Sequence, residues 1–199
     1  VHLITAYGGW KNRRMIDFYL RYCKTLYERL GELVDFWLPF NEINCSRFNP
    51  WNGCCLIKDQ EDNYDQAIFQ CTHHQLLANA MAVRMAHEML PGSMVGGMIA
   101  RFTSYPATCN PDDVMCGILD ENYKNYFYTD VMARGRYPAY TKRMFDALGV
   151  HIETQPGDDE ILAAGRVDFL SFSYYMSMIC FRLRDNQRQS AVRQKESVP

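Results

Sequence analysis

Two long stretches of the chain carry the spacing of apolar residues that is typical of helices. Over residues 15–30 the apolar side chains recur every three or four positions, and Gly31 follows where a helix can end in a left-handed turn. A longer helix is predicted over residues 64–90, because Asn63 can cap its first turn. Two more helices are predicted, near residues 111–134 and over residues 138–148.

Between these helices lie short runs of aromatic and branched residues that predict strands, at residues 33–40, 94–100 and 167–175. Apolar strands that alternate with helices indicate an α/β fold with a parallel sheet covered on both faces. A closed barrel and an open sheet both satisfy this pattern. Long segments follow the first two strands, at residues 43–62 and 101–113. The carboxyl ends of parallel strands are where α/β proteins place their sites.

Composition excludes several classes of partner. With 48% hydrophobic and 22% charged residues and a net charge of −2, the chain has the balance of a globular protein, and neither nucleic acid nor an anionic membrane is an expected partner. No segment approaches the about 18 uninterrupted apolar residues of a membrane span, and no signal peptide is visible. The eight cysteines are scattered, which favours free thiols in a reducing cytoplasm over disulfides.

The sequence predicts neither a metal site nor a cofactor. The cysteines form no Cys-x-x-Cys pair, and residues 95–100, VGGMIA, lack the pattern of a phosphate-binding loop. His73 and His74 are adjacent within a predicted helix, where neighbouring side chains point about 100° apart. This geometry favours surface and packing roles over a metal pair.

The end of the chain, residues 181–199, differs in character from the rest. Basic residues outnumber acidic ones there and apolar residues nearly vanish. This composition predicts a solvated, disordered tail, and binding to RNA or to an acidic partner is the alternative. Residues 1–180 are accordingly predicted to form the folded domain.

The candidate chemistry lies in WLPFNEIN, residues 37–44, where an apolar strand ends in Asn41 and Glu42. A lone Glu in this position can simply begin a loop in solvent. The alternative is a general acid or base whose pKa is raised by apolar neighbours such as Trp37 and Phe40. Asn41 favours the second interpretation, because an amide can orient a hydroxyl-rich substrate. Tyr175 ends another predicted strand and offers a phenol at the same edge.

Longer segments around these residues resemble a known family. The stretch YGGWKNRRMIDFYLRYCKTLYERLGELVDFWLPFNEIN is similar to the family 1 glycoside hydrolases, above all to their bacterial 6-phospho-β-glucosidase branch. The resemblance continues through TSYPATCNPDD, ARGRYP and DFLSFSYYMSM and covers roughly residues 1–180.

This resemblance implies a fold and a set of roles. The fold would be part of a (β/α)8 TIM barrel, from about the end of the third strand to the sixth. Glu42 matches the family's acid/base, Asn41 the residue that holds the sugar 2-hydroxyl, and Tyr175 the tyrosine that orients the nucleophilic carboxylate. Ser173 stands where many relatives have Asn, a departure that fits the phospho-sugar branch. The implied activity is retaining hydrolysis of phosphorylated β-glucosides.

The second carboxylate of such a site is not found in this sequence. Retaining glycosidases use two carboxyl groups about 5–5.5 Å apart. The family's nucleophile lies in a Thr-Glu-Asn-Gly type motif, which is absent here, and the later glutamates Glu153, Glu160 and Glu196 do not end apolar strands. The family's phosphate-binding Ser-x-Lys-Tyr stretch is absent too. We therefore expect a truncated or fragmentary chain that is inactive or severely impaired alone.

A non-enzymatic alternative remains open. Missing barrel strands would leave sheet edges without partners, and such edges favour association between chains. The alternative is therefore a remnant that binds sugar weakly or self-associates through uncovered barrel edges.

Overall fold

The computed structural model describes residues 2–57, 61 and 63–182. The elements are, in chain order, α1 (His2–Tyr7), a 3-10 turn (Gly9–Lys11), α2 (Met15–Leu30), a second 3-10 turn (Gly31–Leu33), β1 (Phe36–Trp37), α3 (Cys45–Phe48), α4 (Pro50–Cys54), α5 (Tyr64–Met89), β2 (Met94–Pro106), α6 (Pro111–Glu121), a π-helical segment (Asn122–Tyr126), α7 (Phe127–Arg134), α8 (Tyr140–Leu148), α9 (Asp158–Ala164) and β3 (Phe169–Cys180). The predicted helix over residues 15–30 is confirmed, and the predicted helix over residues 64–90 ends one residue earlier.

The three strands form one parallel sheet in the order β1-β2-β3. β1 pairs with the first two residues of β2. β3 pairs with β2 from Phe169, opposite Gly96, to Cys180, opposite Pro106. Parallel strands that alternate with helices confirm the α/β prediction. Among the described residues, β1 and β3 are the edge strands of this sheet.

β1 is much shorter than the predicted run at residues 33–40. Pro39 has no amide hydrogen to donate, and the chain leaves the sheet in a series of bends that begins at this residue. The backbone returns to the sheet at Ile43, whose amide donates to the Met98 carbonyl of β2 at 3.1 Å. The sheet register therefore resumes immediately after Glu42.

The hydrophobic core is built around α5. This 26-residue helix is buried over most of its circumference and packs against α2 and α9. Phe69 from α5 meets Phe127 from α7 edge-on, with ring centroids 5.5 Å apart, and both rings are almost fully buried. The other elements thus cover α5 on most of its sides, and the polar residues among its buried side chains need hydrogen-bond partners inside the protein.

One glycine permits a close contact between α5 and the end of α9. A Cβ atom added to Gly165 would lie 2.1 Å from the Ala80 carbonyl oxygen. No other residue fits there without movement of the backbone.

A buried polar cluster ties α9 to α5 and to the N-terminal segment. Arg13 donates two hydrogen bonds to the Asp158 carboxylate, and His73 Nε2 lies 3.0 Å from Asp158 Oδ2. His73 Nδ1 contacts the Tyr137 hydroxyl at 2.8 Å. Although burial opposes ionisation of Asp158, the hydrogen bonds from Arg13, the Gln155 amide and His73 lower its pKa to about 2.

The two adjacent histidines therefore have separate packing roles. His74 Nδ1 lies 2.8 Å from the Trp10 carbonyl oxygen, whereas His73 belongs to the Asp158 cluster. Both side chains are buried rather than on the surface, and burial lowers the pKa of each.

Two further features bear on the composition-based predictions. None of the helices in the described part of the chain is long and apolar enough to span a membrane. The predicted tail at residues 181–199 lies almost wholly outside the described residues, since only Phe181 and Arg182 belong to them.

Candidate active site

The candidate acid/base lies in the segment that connects β1 to α3. Glu42 is half-buried and Asn41 beside it is exposed. Glu42 has a backbone φ of 48°, which is the left-handed region that side chains other than glycine rarely adopt. Its carbonyl accepts a hydrogen bond from the Cys45 amide at 2.8 Å, which closes a tight turn. The turn presents the Glu42 side chain at the carboxyl end of the sheet.

Glu42 and Tyr175 meet in the structure although 133 positions separate them. The Tyr175 hydroxyl donates to Glu42 Oε1 at 2.5 Å. The Cys45 thiol donates to the other carboxylate oxygen, Oε2, at 3.4 Å. Both oxygens of Glu42 are thus hydrogen-bonded.

A β-bulge brings Tyr175 to this position. Ser173 and Tyr174 lie opposite Ala100 and Arg101 of β2, but the next paired residue of β3 is Met176. Tyr175 is therefore the extra residue. A bulge turns the side chains that follow it to the other face of the strand. Tyr174 points elsewhere, and its hydroxyl contacts Ser177.

The expectation that apolar neighbours raise the pKa of Glu42 is wrong for this arrangement. Burial does raise the pKa, but the hydrogen bonds from Tyr175, Ser173 and Cys45 outweigh it, and the pKa lies below that of an ordinary glutamate. The two aromatic neighbours pack on other rings: Trp37 on Tyr27 at 4.9 Å and Phe40 on Tyr19 at 4.5 Å. Glu42 is consequently ionised at neutral pH.

The partners of Glu42 behave as hydrogen-bond donors. Burial and the neighbouring Glu42 carboxylate raise the pKa of the Cys45 thiol to about 12. The hydrogen bond to Glu42 is the main cause that raises the pKa of Tyr175. Both groups stay protonated at neutral pH, so the Cys45 thiol is not a thiolate nucleophile.

Sequence reasoning missed two residues of this site, Asn44 and Cys45. Asn44 is fully buried and its amide binds the backbone of β2. The only sequence signal was that Asn44 and Cys45 follow Glu42 after a single apolar residue, in the segment NEINC. No cluster of three or more metal-ligating side chains occurs among the residues that the structure describes.

The site combines a carboxylate, an amide and a phenol at the carboxyl edge of a parallel sheet, and the sequence around it matches a family pattern. The pattern described as "Glycosyl hydrolase family 1" matches residues 2–198. The chain belongs to glycosyl hydrolase family 1. The match runs past residue 180, where the sequence analysis placed the domain boundary, and that boundary stays a prediction.

Curated members of family 1 resemble the chain closely over part of their length. The 6-phospho-beta-glucosidase AscB of Escherichia coli is 47% identical over 177 residues, which are 89% of this chain and 37% of that protein. The aryl-phospho-beta-D-glucosidase BglH of Bacillus subtilis is 44% identical over 88% of this chain and 37% of its own length. A 6-phospho-beta-glucosidase of Clostridium longisporum is 37% identical over the whole chain and 42% of its own length. The chain thus spans about two-fifths of the length of these relatives.

Solved family 1 structures share the fold. A beta-glucosidase from Exiguobacterium marinum superimposes with a TM-score of 0.72 at 22% identity, covering 97% of this chain and 49% of that one. A family 1 glycoside hydrolase from Thermotoga maritima gives a TM-score of 0.73 at 21% identity, covering 92% and 43%. The described strands and helices are therefore part of the family 1 (β/α)8 barrel, as the resemblance implied.

Proposed function

We propose that this chain carries the acid/base half of a retaining 6-phospho-β-glucosidase site, with Glu42 as the group that protonates the glycosidic oxygen. The observation that carries the proposal is the position of Glu42. It follows Asn41 at the carboxyl end of a parallel strand and is held there by Tyr175, in a chain of the glycosidase family. In this role Glu42 gives its proton to the leaving oxygen and later takes one from water.

The proposed substrate class is β-glucosides that carry a 6-phosphate. Its support is the names of curated relatives that are 37–47% identical to the chain, which act on phospho-glucosides. Asn41 is exposed beside Glu42 and would hold the sugar 2-hydroxyl. A charged sugar phosphate does not cross a membrane unaided, so this substrate also supports the predicted cytoplasmic location.

The low pKa of Glu42 is consistent with an incomplete carboxyl pair. A phenol that contacts Glu42 is within reach of a second carboxyl group about 5–5.5 Å away. If Tyr175 donated to that second group instead, Glu42 would lose the strongest of the hydrogen bonds that lower its pKa. Glu42 would then hold a proton more readily, as a general acid must. In the described residues Tyr175 bonds to Glu42, and its role in orienting the nucleophile stays a prediction.

The experiment supplies the missing nucleophile from solution. The 199-residue chain is incubated with 4-nitrophenyl β-glucoside 6-phosphate, with and without azide. Without azide we expect little turnover, since the Thr-Glu-Asn-Gly type motif of the nucleophile is absent from these 199 residues. Azide attacks the anomeric carbon from the face opposite the departing nitrophenolate and forms the α-configured glycosyl azide, which proton NMR identifies.

Two comparisons complete this experiment. The substrate without its phosphate should react more slowly if the phosphate preference resides in these residues. Formation of the β-configured azide, or equal background rates with and without protein, would contradict the proposal.

Self-association is the second candidate, and one specific observation favours it. The edge strand β3 exposes large apolar side chains, and Phe36 on the opposite edge strand is 65% exposed. Those of β3 are Leu170, Phe172, Tyr174, Tyr175, Met176 and Ile179. An open edge of this kind pairs readily with a second chain. Light scattering tests it: a concentration-dependent rise in mass is expected, and a stable monomer at all concentrations would exclude it.

A further inference from the structure

One edge of β2 is completed by side chains instead of a neighbouring strand. In a parallel strand, alternate residues direct both their amide and their carbonyl to the same side. Met98 accepts from the Ile43 backbone on this side, at 3.1 Å. The next residues of this set, Ala100, Phe102 and Ser104, bind side chains. The backbone hydrogen bonds that β1 makes along this edge of β2 are therefore continued by side chains.

Asn44 occupies the first of these places. Its Oδ1 accepts from the Ala100 amide at 2.8 Å, and its Nδ2 donates to the Ala100 carbonyl at 2.7 Å and to the Lys124 carbonyl at 3.0 Å. The side chain is fully buried. Both donor hydrogens and the acceptor oxygen are thus used, which leaves the amide one orientation.

This anchor lies two residues after Glu42. Between the end of β1 at Trp37 and the Ile43 amide, the backbone makes no ladder hydrogen bond to β2. Glu42 also has a left-handed backbone, which persists only where the surroundings impose it. The anchor that follows this segment is Ile43 together with Asn44.

We propose that Asn44 is a positioning residue: its amide acts in place of a strand residue and holds the turn that aims Glu42 at Tyr175. That Asn44 matters for catalysis rests on the proposed function, whereas its effect on the position of Glu42 does not. Without the Asn44 amide, the turn loses its attachment to Ala100 and the Glu42 carboxylate moves away from its donors.

The chain contains a matched control for this proposal. Asn125 binds Phe102 in the same manner, since its Oδ1 accepts from the Phe102 amide at 3.1 Å and its Nδ2 donates to the Phe102 carbonyl at 2.8 Å. It is also fully buried. Replacement of Asn125 removes equivalent hydrogen bonds from the same edge of β2, but from a residue that lies outside the Glu42 turn.

The experiment follows the titration of Glu42 by carbon NMR in protein labelled at the glutamate carboxyl carbon, with the signal assigned from Glu42→Gln. Wild type, Asn44→Ala and Asn125→Ala are compared without substrate, so the result does not depend on the proposed function. In Asn44→Ala we expect the titration midpoint of Glu42 to move up, because the donors that stabilise its charge are lost. In Asn125→Ala we expect the wild-type midpoint.

Hydrogen exchange of the Ala100 amide provides the second readout, with about tenfold faster exchange expected in Asn44→Ala. If Asn44→Ala does not fold, Asn44→Thr keeps about the same volume, places no new charge near Glu42, cannot bond both the amide and the carbonyl of Ala100 as the amide side chain does, and should shift the midpoint in the same direction. A folded Asn44 variant with an unchanged Glu42 midpoint would overturn the proposal.

Discussion

Replacement of Asp158 by Asn should destabilise the fold in a manner that depends on pH. Asp158, the first residue of α9, is almost fully buried and binds both Arg13 and His73 of α5. Its pKa of about 2 compares with about 3.9 for an ordinary aspartate. At about 1.4 kcal/mol per unit, ionised Asp158 stabilises the folded state by about 2–3 kcal/mol at neutral pH.

The sign of the pH dependence follows from the direction of this shift. Because the folded pKa lies below the unfolded value, the contribution is complete above about pH 5 and is lost as pH falls toward about 2. Urea unfolding followed by circular dichroism at pH 7 and at pH 3 measures it. The variant should be about 2–3 kcal/mol less stable than wild type at pH 7, with a clearly smaller difference at pH 3.

Asp146→Asn is the control for a surface ion pair. Asp146 pairs with Lys142 at 2.8 Å, but both side chains are largely exposed. This substitution should change stability by less than about 0.5 kcal/mol. An equal cost of Asp158→Asn at pH 7 and pH 3, or a cost no larger than that of Asp146→Asn, would contradict a stabilising role for ionised Asp158.

Two further substitutions test local contacts. Gly165→Ala should cost about 1–3 kcal/mol in urea unfolding or prevent folding, because its Cβ meets the backbone of α5. Gly117→Ala is the control: its Cβ has no neighbour closer than 3.6 Å, and inside α6 the substitution should stabilise the fold by up to about 1 kcal/mol. Tyr175→Phe should raise the pKa of Glu42 in the carboxyl NMR titration, since a hydroxyl donor is lost; an unchanged midpoint would show that Tyr175 does not stabilise the charge.

The helices were predicted well because their signals are local. The range of α2 follows from apolar spacing, but the left-handed turn predicted at Gly31 is wrong, because Gly31 is right-handed (φ −58°) and begins a 3-10 turn. α5 begins where Asn63 accepts from the Gln66 amide at 3.0 Å. The predicted helix near residues 111–134 is interrupted by a π-helical segment, Asn122–Tyr126. In that segment Asn125 turns inward to bind β2. Such a break depends on a tertiary contact and leaves no periodic signal.

The sequence led to Asn41, Glu42 and Tyr175 as proposed site residues, but neither to Asn44 and Cys45 nor to the contacts among them. Glu42 and Asn41 could be recognised because a polar pair ends an apolar run. The hydrogen bond from Tyr175 depends on a bulge in β3, and the anchoring by Asn44 depends on the backbone of β2. The pKa of Glu42 was predicted in the wrong direction because burial, which raises it, is outweighed by hydrogen bonds from Tyr175, Ser173 and Cys45 that the sequence does not show.

The central claim, that Glu42 donates a proton to the leaving group, is tested most directly by the dependence of cleavage on the aglycone. Wild type and Glu42→Gln are compared, with azide present, on methyl and on 2,4-dinitrophenyl β-glucoside 6-phosphate. Methoxide needs a proton to leave and dinitrophenolate does not. If Glu42 is the acid, Glu42→Gln should slow cleavage of the methyl glycoside about 10²–10⁴-fold and leave cleavage of the dinitrophenyl substrate nearly unaffected. An equal effect on both substrates would contradict this role of Glu42.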